Sequence, residues 1–257
     1  MTIDPLLLGL MLVSLFIGGL INGLIGMGFA LLVLNFLALA LGTKAGILVM
    51  SLLGPFPSGY QMWRTRALLP TWVRLRSLLA GSVVGSLVGT PLLILLPVWV
   101  ISIGLGLITI QFVIDQALRS GPPISAGVER RLAPIAGFFS GLSNGALGAA
   151  GPVAGSFLLS LGLRGPEFVF GISTVFTFLS LLRIFLFGVA GQYTQELVLL
   201  SAALLIPSMG GQAVGIRLQR RANPKVFRRL LLSVLFVSSV SLLLRGGQGM
   251  LAHFGLV

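Results

Sequence analysis

At 257 residues, with 56% hydrophobic side chains, only 9% charged residues and a mean hydropathy of +1.08, the chain is far from a soluble globule, where about 25% of residues are charged, and reads as a polytopic membrane protein. Seventeen Lys and Arg against five Asp and Glu give a formal net charge of +12, but the basic residues fall between apolar runs, the pattern of cytoplasmic topology signals rather than of a nucleic-acid surface. There is no cysteine, which removes disulfides, thiol catalysis and cysteine-ligated zinc.

In chain order, the apolar runs and their Gly, Pro and Arg punctuation predict segments at 5–27, 29–41, 45–60, 77–96 and 98–118, then at 133–150, 152–163, 168–190, 197–216 and 230–244. The opening MTIDPLLLGL lacks the basic stretch of a cleavable signal, so the first segment is expected to be a membrane segment. The second segment of each group of five is too short to cross a hydrocarbon core of about 30 Å as a straight helix. It is expected to be a half-helix or the returning arm of a re-entrant hairpin.

The two groups of five share a pattern. IGGLINGL at 17–24 and IAGFFSGL at 135–142 have the same order of Ile, small, Gly, two apolar, Asn or Ser, Gly and Leu. A Gly-rich stretch follows each one, IGMGFA in the first half and SNGALGAAGP in the second. Gly85, Gly89 and Pro97 align with Gly211, Gly215 and Pro224, and Gly81/Gly85/Gly89 and Gly137/Gly141/Gly145 form ladders suited to close helix packing. The expected organisation is a first transmembrane repeat at 1–118, a basic cytoplasmic linker at 119–132 and a second transmembrane repeat at 133–257.

An odd number of segments per repeat inverts the second repeat, and the loop charges agree. The third-to-fourth loop of the first half carries Arg64, Arg66, Arg74 and Arg76, whereas its counterpart GQYTQE at 191–196 has no basic residue. The fourth-to-fifth loops reverse this: a turn at Pro97 in the first half, but Arg217, Arg220, Arg221, Lys225, Arg228 and Arg229 in the second. With Arg119, Arg130 and Arg131 of the linker, one orientation satisfies the set: basic loops cytoplasmic and both termini outside, leaving Lys44 as a minor exception. The fold expected is an all-α polytopic membrane protein of two inverted repeats of about five segments each, with Gly-broken or re-entrant helices.

Matched helix breaks in a duplicated apolar chain point to a midplane binding site of a secondary transporter. Gly26 and Gly28 mark the first break, and Gly148 and Gly151 the second. A helix starting at Pro152 would turn its positive end and free amides to the cavity, a ready anion site; Phe29 offers the same device more weakly. Side-chain donors near the breaks are Asn22, Ser140, Ser143 and Asn144, equally suited to interhelical hydrogen bonds. Arg183 is the one charge well inside an apolar run, placed either to attract an anion or to snorkel to the outer surface. Ser173, Thr174 and Thr177 could face the same cavity, or bond their own backbone.

No acidic residue lies mid-segment, so no buried carboxylate relay is visible, and the reading admits proton or ion coupling, and a homo-oligomer, without choosing. The only histidine is His253, no metal, nucleotide-binding or hydrolase motif occurs, and neither catalysis nor a cofactor or metal is expected. The alternative to a transporter is an anion channel or a non-transporting accessory membrane protein. A channel would call for continuous pore-lining polar rings, and an accessory protein would not require matched breaks.

The stretches GGLINGLIGMG, LALALGTKAGILVMSLLGPFPSGYQMWR, GFFSGLSNGALGAAGPVAGSFLLSLGL and FTFLSLLRIFLFG together resemble the two halves of TauE/SafE permeases, the sulfite-exporter family. The resemblance implies a bacterial or archaeal cytoplasmic-membrane permease for sulfite, sulfonates or related small organic anions. Where the family usually has consecutive glycines at the first break and Gly-Gly-Pro at the second, this chain has GMGFA and AAGP.

Overall fold

Long apolar runs with few breakers fold as helices because lipid offers the backbone no hydrogen-bond partner, and a computed structural model of the chain is helical in this sense. It describes residues 5–25, 29–118, 124–163, 165–218 and 224–254, and among them there is no strand. The first five helices are α1 (Pro5–Ile25), α2 (Phe29–Leu41), α3 (Thr43–Leu53), α4 (Pro55–Arg64) and, after a 3₁₀ turn at Arg66–Thr71, α5 (Trp72–Leu95). They are followed by α6 (Val98–Leu118), α7 (Ala126–Leu147), α8 (Gly151–Ser160), α9 (Pro166–Val189), α10 (Gln195–Leu218) and α11 (Pro224–His253).

Five stretches are long and apolar enough to cross a membrane among the described residues: Trp72–Leu95, Val98–Asp115, Pro166–Val189, Gln195–Leu218 and Leu235–His253. The protein is thus a multi-pass membrane protein. Many of their large apolar side chains point outward, Leu95, Phe185 and Ile206 among them, as surfaces facing lipid do. α2 and α8 have 13 and 10 residues, and at about 1.5 Å per residue neither reaches across alone.

One predicted segment is divided. The run at 45–60 becomes α3 and α4, parted at Gly54, because Pro55 and Pro57 carry no N–H to continue the ladder. Gly54 keeps right-handed helical angles, and a Cβ there would sit 2.7 Å from the Ser180 hydroxyl of α9. The interruption therefore brings α9 close. Helices also overrun their apolar cores. α7 begins at Ala126 rather than 133, and its first-turn Glu129 takes two hydrogen bonds from Arg74 of α5, at 2.7 and 3.0 Å.

The closest helix pairs are α5 with α7, α1 with α10 and α6 with α11, while α9 packs on α3 and α4. In the first two pairs glycine sets the approach. A Cβ on Gly81, Gly85, Gly137 or Gly141 would overlap the carbonyl oxygen of Pro134, Phe138, Leu78 or Ser82 respectively. In α1 and α10 the same holds for Gly211, Gly215, Gly19 and Gly23 against Phe16, Leu20, Ser208 and Gln212. Exchanging α7 for α1 and α5 for α10 reproduces these contacts one for one. They set Gly81 in the place of Gly211 and Gly85 in that of Gly215, one turn away from the sequence alignment of Gly85 with Gly211 and Gly89 with Gly215. Facing backbone fixes that register.

Basic side chains also close helix ends. Lys44, the exception to the loop-charge pattern, donates to Ile94 O near the end of α5 at 3.1 Å, and Arg245 to Leu39 O near the end of α2 at 3.0 Å. Cations at helix C-termini satisfy orphan carbonyls and oppose the negative dipole end.

Candidate functional site

The centre of the site is the turn between α7 and α8. α7 stops because Gly148 takes the left-handed conformation, φ +75°. Its N–H bonds to Asn144 O at 2.9 Å, and Ala149 N–H bonds to Ser143 O at 3.3 Å, closing the last carbonyls of the helix. Two hydroxyls of α7 hold the departing chain: Ser143 Oγ donates to Ala149 O at 2.6 Å and Ser140 Oγ to Ala150 O at 3.3 Å. α8 then starts at Gly151 with Pro152 in its first turn, where the missing N–H costs nothing. Gly148→Ala is expected to destabilise the fold by about 1–2 kcal/mol, since the left-handed backbone disfavours a Cβ, which would also press to 3.0 Å on Leu34 and 3.4 Å on an Arg183 nitrogen. Thermal unfolding checks this.

Arg183 reaches this turn from α9. Its residue is 2% exposed, so it does not snorkel. One terminal nitrogen donates to Asn144 O at 2.9 Å and to Asn144 Oδ1 at 3.3 Å, the other to Ile47 O of α3 at 3.0 Å. The guanidinium lies 5.8 Å from the centroid of the Phe187 ring. All its hydrogen-bond partners are neutral oxygens, and no carboxylate among the described residues pairs with it. Its Nε and the side-chain nitrogen of Asn144 are buried without a partner. The charge is held at the negative end of α7, which offsets only part of the cost of burial.

Beside the guanidinium lies a narrow cleft with a cavity of about 30 Å³. Asn22 and Phe29 bound it from the α1 and α2 side, Met50, Gly54 and Ser58 from α3 and α4, Asn144 and Gly148 from α7, and Phe176, Ser180 and Arg183 from α9. Of the residues singled out in the sequence, the structure brings Asn22, Asn144, Gly148 and Arg183 together around this space. Ser140 and Ser143 shape the turn instead. Thr174 and Thr177 donate to Phe170 O and Ser173 O, both at 2.7 Å, along their own helix, and Ser173 is buried. Gly151 faces Phe176, whose ring tip would lie 3.1 Å from an added Cβ. Gly26 and Gly28 lie outside the described residues.

Phe176, Ser180, Met50 and Ser58 were not singled out in the sequence. Phe176 and Ser180 were within reach, because 176, 180 and 183 fall on one face of a helix. Met50 and Ser58 flank the Gly-Pro interruption, which the continuous hydropathy of that run conceals.

The sulfite exporter TauE/SafE family model matches residues 10–242. Comparison with curated proteins and with solved structures returns no match. The matched region takes in every helix that bounds the cleft, and with it the α7–α8 turn and Arg183. The chain is a member of the TauE/SafE sulfite exporter family of membrane transporters.

Proposed function

We propose that the protein is a secondary transporter for a small sulfur-containing anion, sulfite or a sulfonate, in a bacterial or archaeal cytoplasmic membrane, and that the anion binds between Arg183, Asn144 and the start of α8. The observation that carries this reading is the buried Arg183, whose positive charge meets only neutral oxygens beside a cleft. An anion would supply the missing charge. The unpartnered Nε of Arg183 and amide nitrogen of Asn144 are donors without acceptors, and the first-turn amides of α8 add a positive helix end. Three oxygens on one sulfur suit several donors converging from different helices.

Residues 1–118 and 133–257 are read as two inverted repeats joined by the basic linker at 119–132, with the basic loops cytoplasmic. The matching contacts of α1 with α10 and of α7 with α5 support this reading. Alternating access would then be rocking of the halves about the cleft.

The test is thermal stabilisation of the purified protein by sulfite, sulfate, sulfoacetate, taurine, simple carboxylates and chloride. A sulfur oxyanion or sulfonate is expected to raise the unfolding temperature selectively, and Gly151→Leu, which drives a side chain toward Phe176, to remove the effect. Indifference of the folded protein to every anion would count against the anion site and favour an accessory role.

A further inference from the structure

The loop between α9 and α10 does more than connect. Ala190 N–H bonds to Leu186 O, Gly191 N–H to Gly188 O and Gln192 N–H to Phe187 O, each at 3.0 Å, and Gly191 turns the chain at φ +64°. The next residue, Tyr193, is thereby directed back into the bundle. Its hydroxyl lies 2.7 Å from Ser51 Oγ on α3. Ser51 is fully buried and spends its own proton on Leu48 O at 2.6 Å, so Tyr193 is the donor. The phenol ring stands edge-on to Phe187 of α9, with centroids 6.3 Å apart at 84°. Tyr193 thus joins α3 to α9, the same two helices that Arg183 joins through Ile47 O.

Position along the helices gives this contact a meaning. Tyr193 is half-buried, whereas Ser51 and Phe187 are fully buried behind it. The α9 residues that bound the cleft, Arg183, Ser180 and Phe176, follow one another away from the loop. Neither Phe187 nor Tyr193 bounds it. The cleft therefore ends at Arg183, and between it and the α9–α10 loop lie the Phe187 ring, against the guanidinium, and the Tyr193 side chain outside it. Burial raises the Tyr193 phenol above its ordinary range, with nearby Arg183 acting in the opposite sense. It remains a protonated donor at neutral pH.

We infer that Tyr193, latched to Ser51 and leaning on Phe187, is the gate that closes the Arg183 site on the α9–α10 face, and that the anion passes on this side only when the latch opens. The inference rests on the proposed anion site and adds to it a residue that controls access. A neutral hydrogen bond, a ring contact and packing on the apolar core hold the gate, and none of these involves the atoms that bond Arg183 to Asn144 and Ile47.

The absence of native cysteine makes the test direct. Ser180→Cys places a single thiol in the cleft, and its labelling by a membrane-impermeant reagent is timed from each side of reconstituted vesicles. In Tyr193→Ala, labelling from the α9–α10 side is expected to accelerate about tenfold or more, with no change from the opposite side. Tyr193→Phe and Ser51→Ala, which remove the latch but keep the ring, should give a smaller one-sided increase. Unchanged rates in all three variants, or equal increases from both sides, would overturn the gate. Anion-dependent stabilisation measured on the same proteins keeps the two ideas apart: its absence from the wild type rejects the anion site, whereas one-sided labelling reports on the gate alone.

Discussion

Arg183→Met is expected to remove anion binding while leaving the fold at least as stable as the wild type. A buried charge without a charged partner is held against its own desolvation, and replacing such groups by apolar side chains of similar size is often neutral or stabilising. The backbone oxygens that Arg183 touches do not depend on it. Asn144 O keeps the Gly148 N–H at 2.9 Å, and Ile47 O lies within α3, where the helix ladder supplies a donor. Binding is different. Losing one member of a buried charge pair costs about 2–5 kcal/mol, which corresponds to a loss of affinity of roughly thirtyfold or more at the lower end. Lysine should not rescue it, since a single ammonium lacks the planar fork that reaches Asn144 and Ile47 at once. Unfolding temperature and sulfite titration on the same sample decide the matter; a destabilised Arg183→Met that still binds sulfite would mean that the arginine is structural.

The largest loss of stability is expected at Gly141→Val. An added Cβ would overlap Ser82 O, and Ser82 Cα and C are also within 3 Å of it. These are backbone atoms of a helix packed along its length, so no rotamer change relieves the clash. Overpacking a tight interior costs about 1–3 kcal/mol for modest insertions, and a β-branched residue against backbone belongs above that range. Gly85→Val should behave alike against Phe138 O. Gly188→Ala is the control. It has open space around it and should be neutral, or stabilising by up to about 1 kcal/mol through helix propensity. Melting curves of the three variants in detergent test this; a Gly141→Val protein that melts with the control would show that the α5–α7 contact is loose enough to accept the side chain.

Much of the helix inventory was legible, because a run of apolar residues has few alternatives in lipid. The boundaries were less so. α5, α7 and α11 extend into polar residues that hydropathy alone leaves out, and at the start of α7 it is the pairing of Glu129 with Arg74, far apart in sequence, that extends the helix. The interruption at Gly54 was hidden by the apolar residues on both sides. Small residues recurring every four positions make helix alignments one turn apart nearly equivalent, and only the carbonyls facing Gly81, Gly85, Gly211 and Gly215 choose between them.

The site divides in the same way. Arg183 stood out as a lone charge in an apolar run, and Asn22, Asn144 and Gly148 as features of the breaks. The partners of Arg183 come from α3 and α7, which lie in different halves of the chain, so no local pattern could have assigned them. Ser140 and Ser143 are expected from the sequence as side-chain donors near the second break, and their hydroxyls donate to its backbone rather than bound the cleft. Tyr193 carried no signal at all, because its role depends on a turn that directs it back onto Ser51.

The most direct test of the account is uptake of labelled sulfite by vesicles containing the wild-type protein or Arg183→Met. Saturable uptake by the wild type, competed by sulfonates and absent in Arg183→Met, is the expected result. Equal uptake by both proteins would contradict the assignment of the anion site to Arg183.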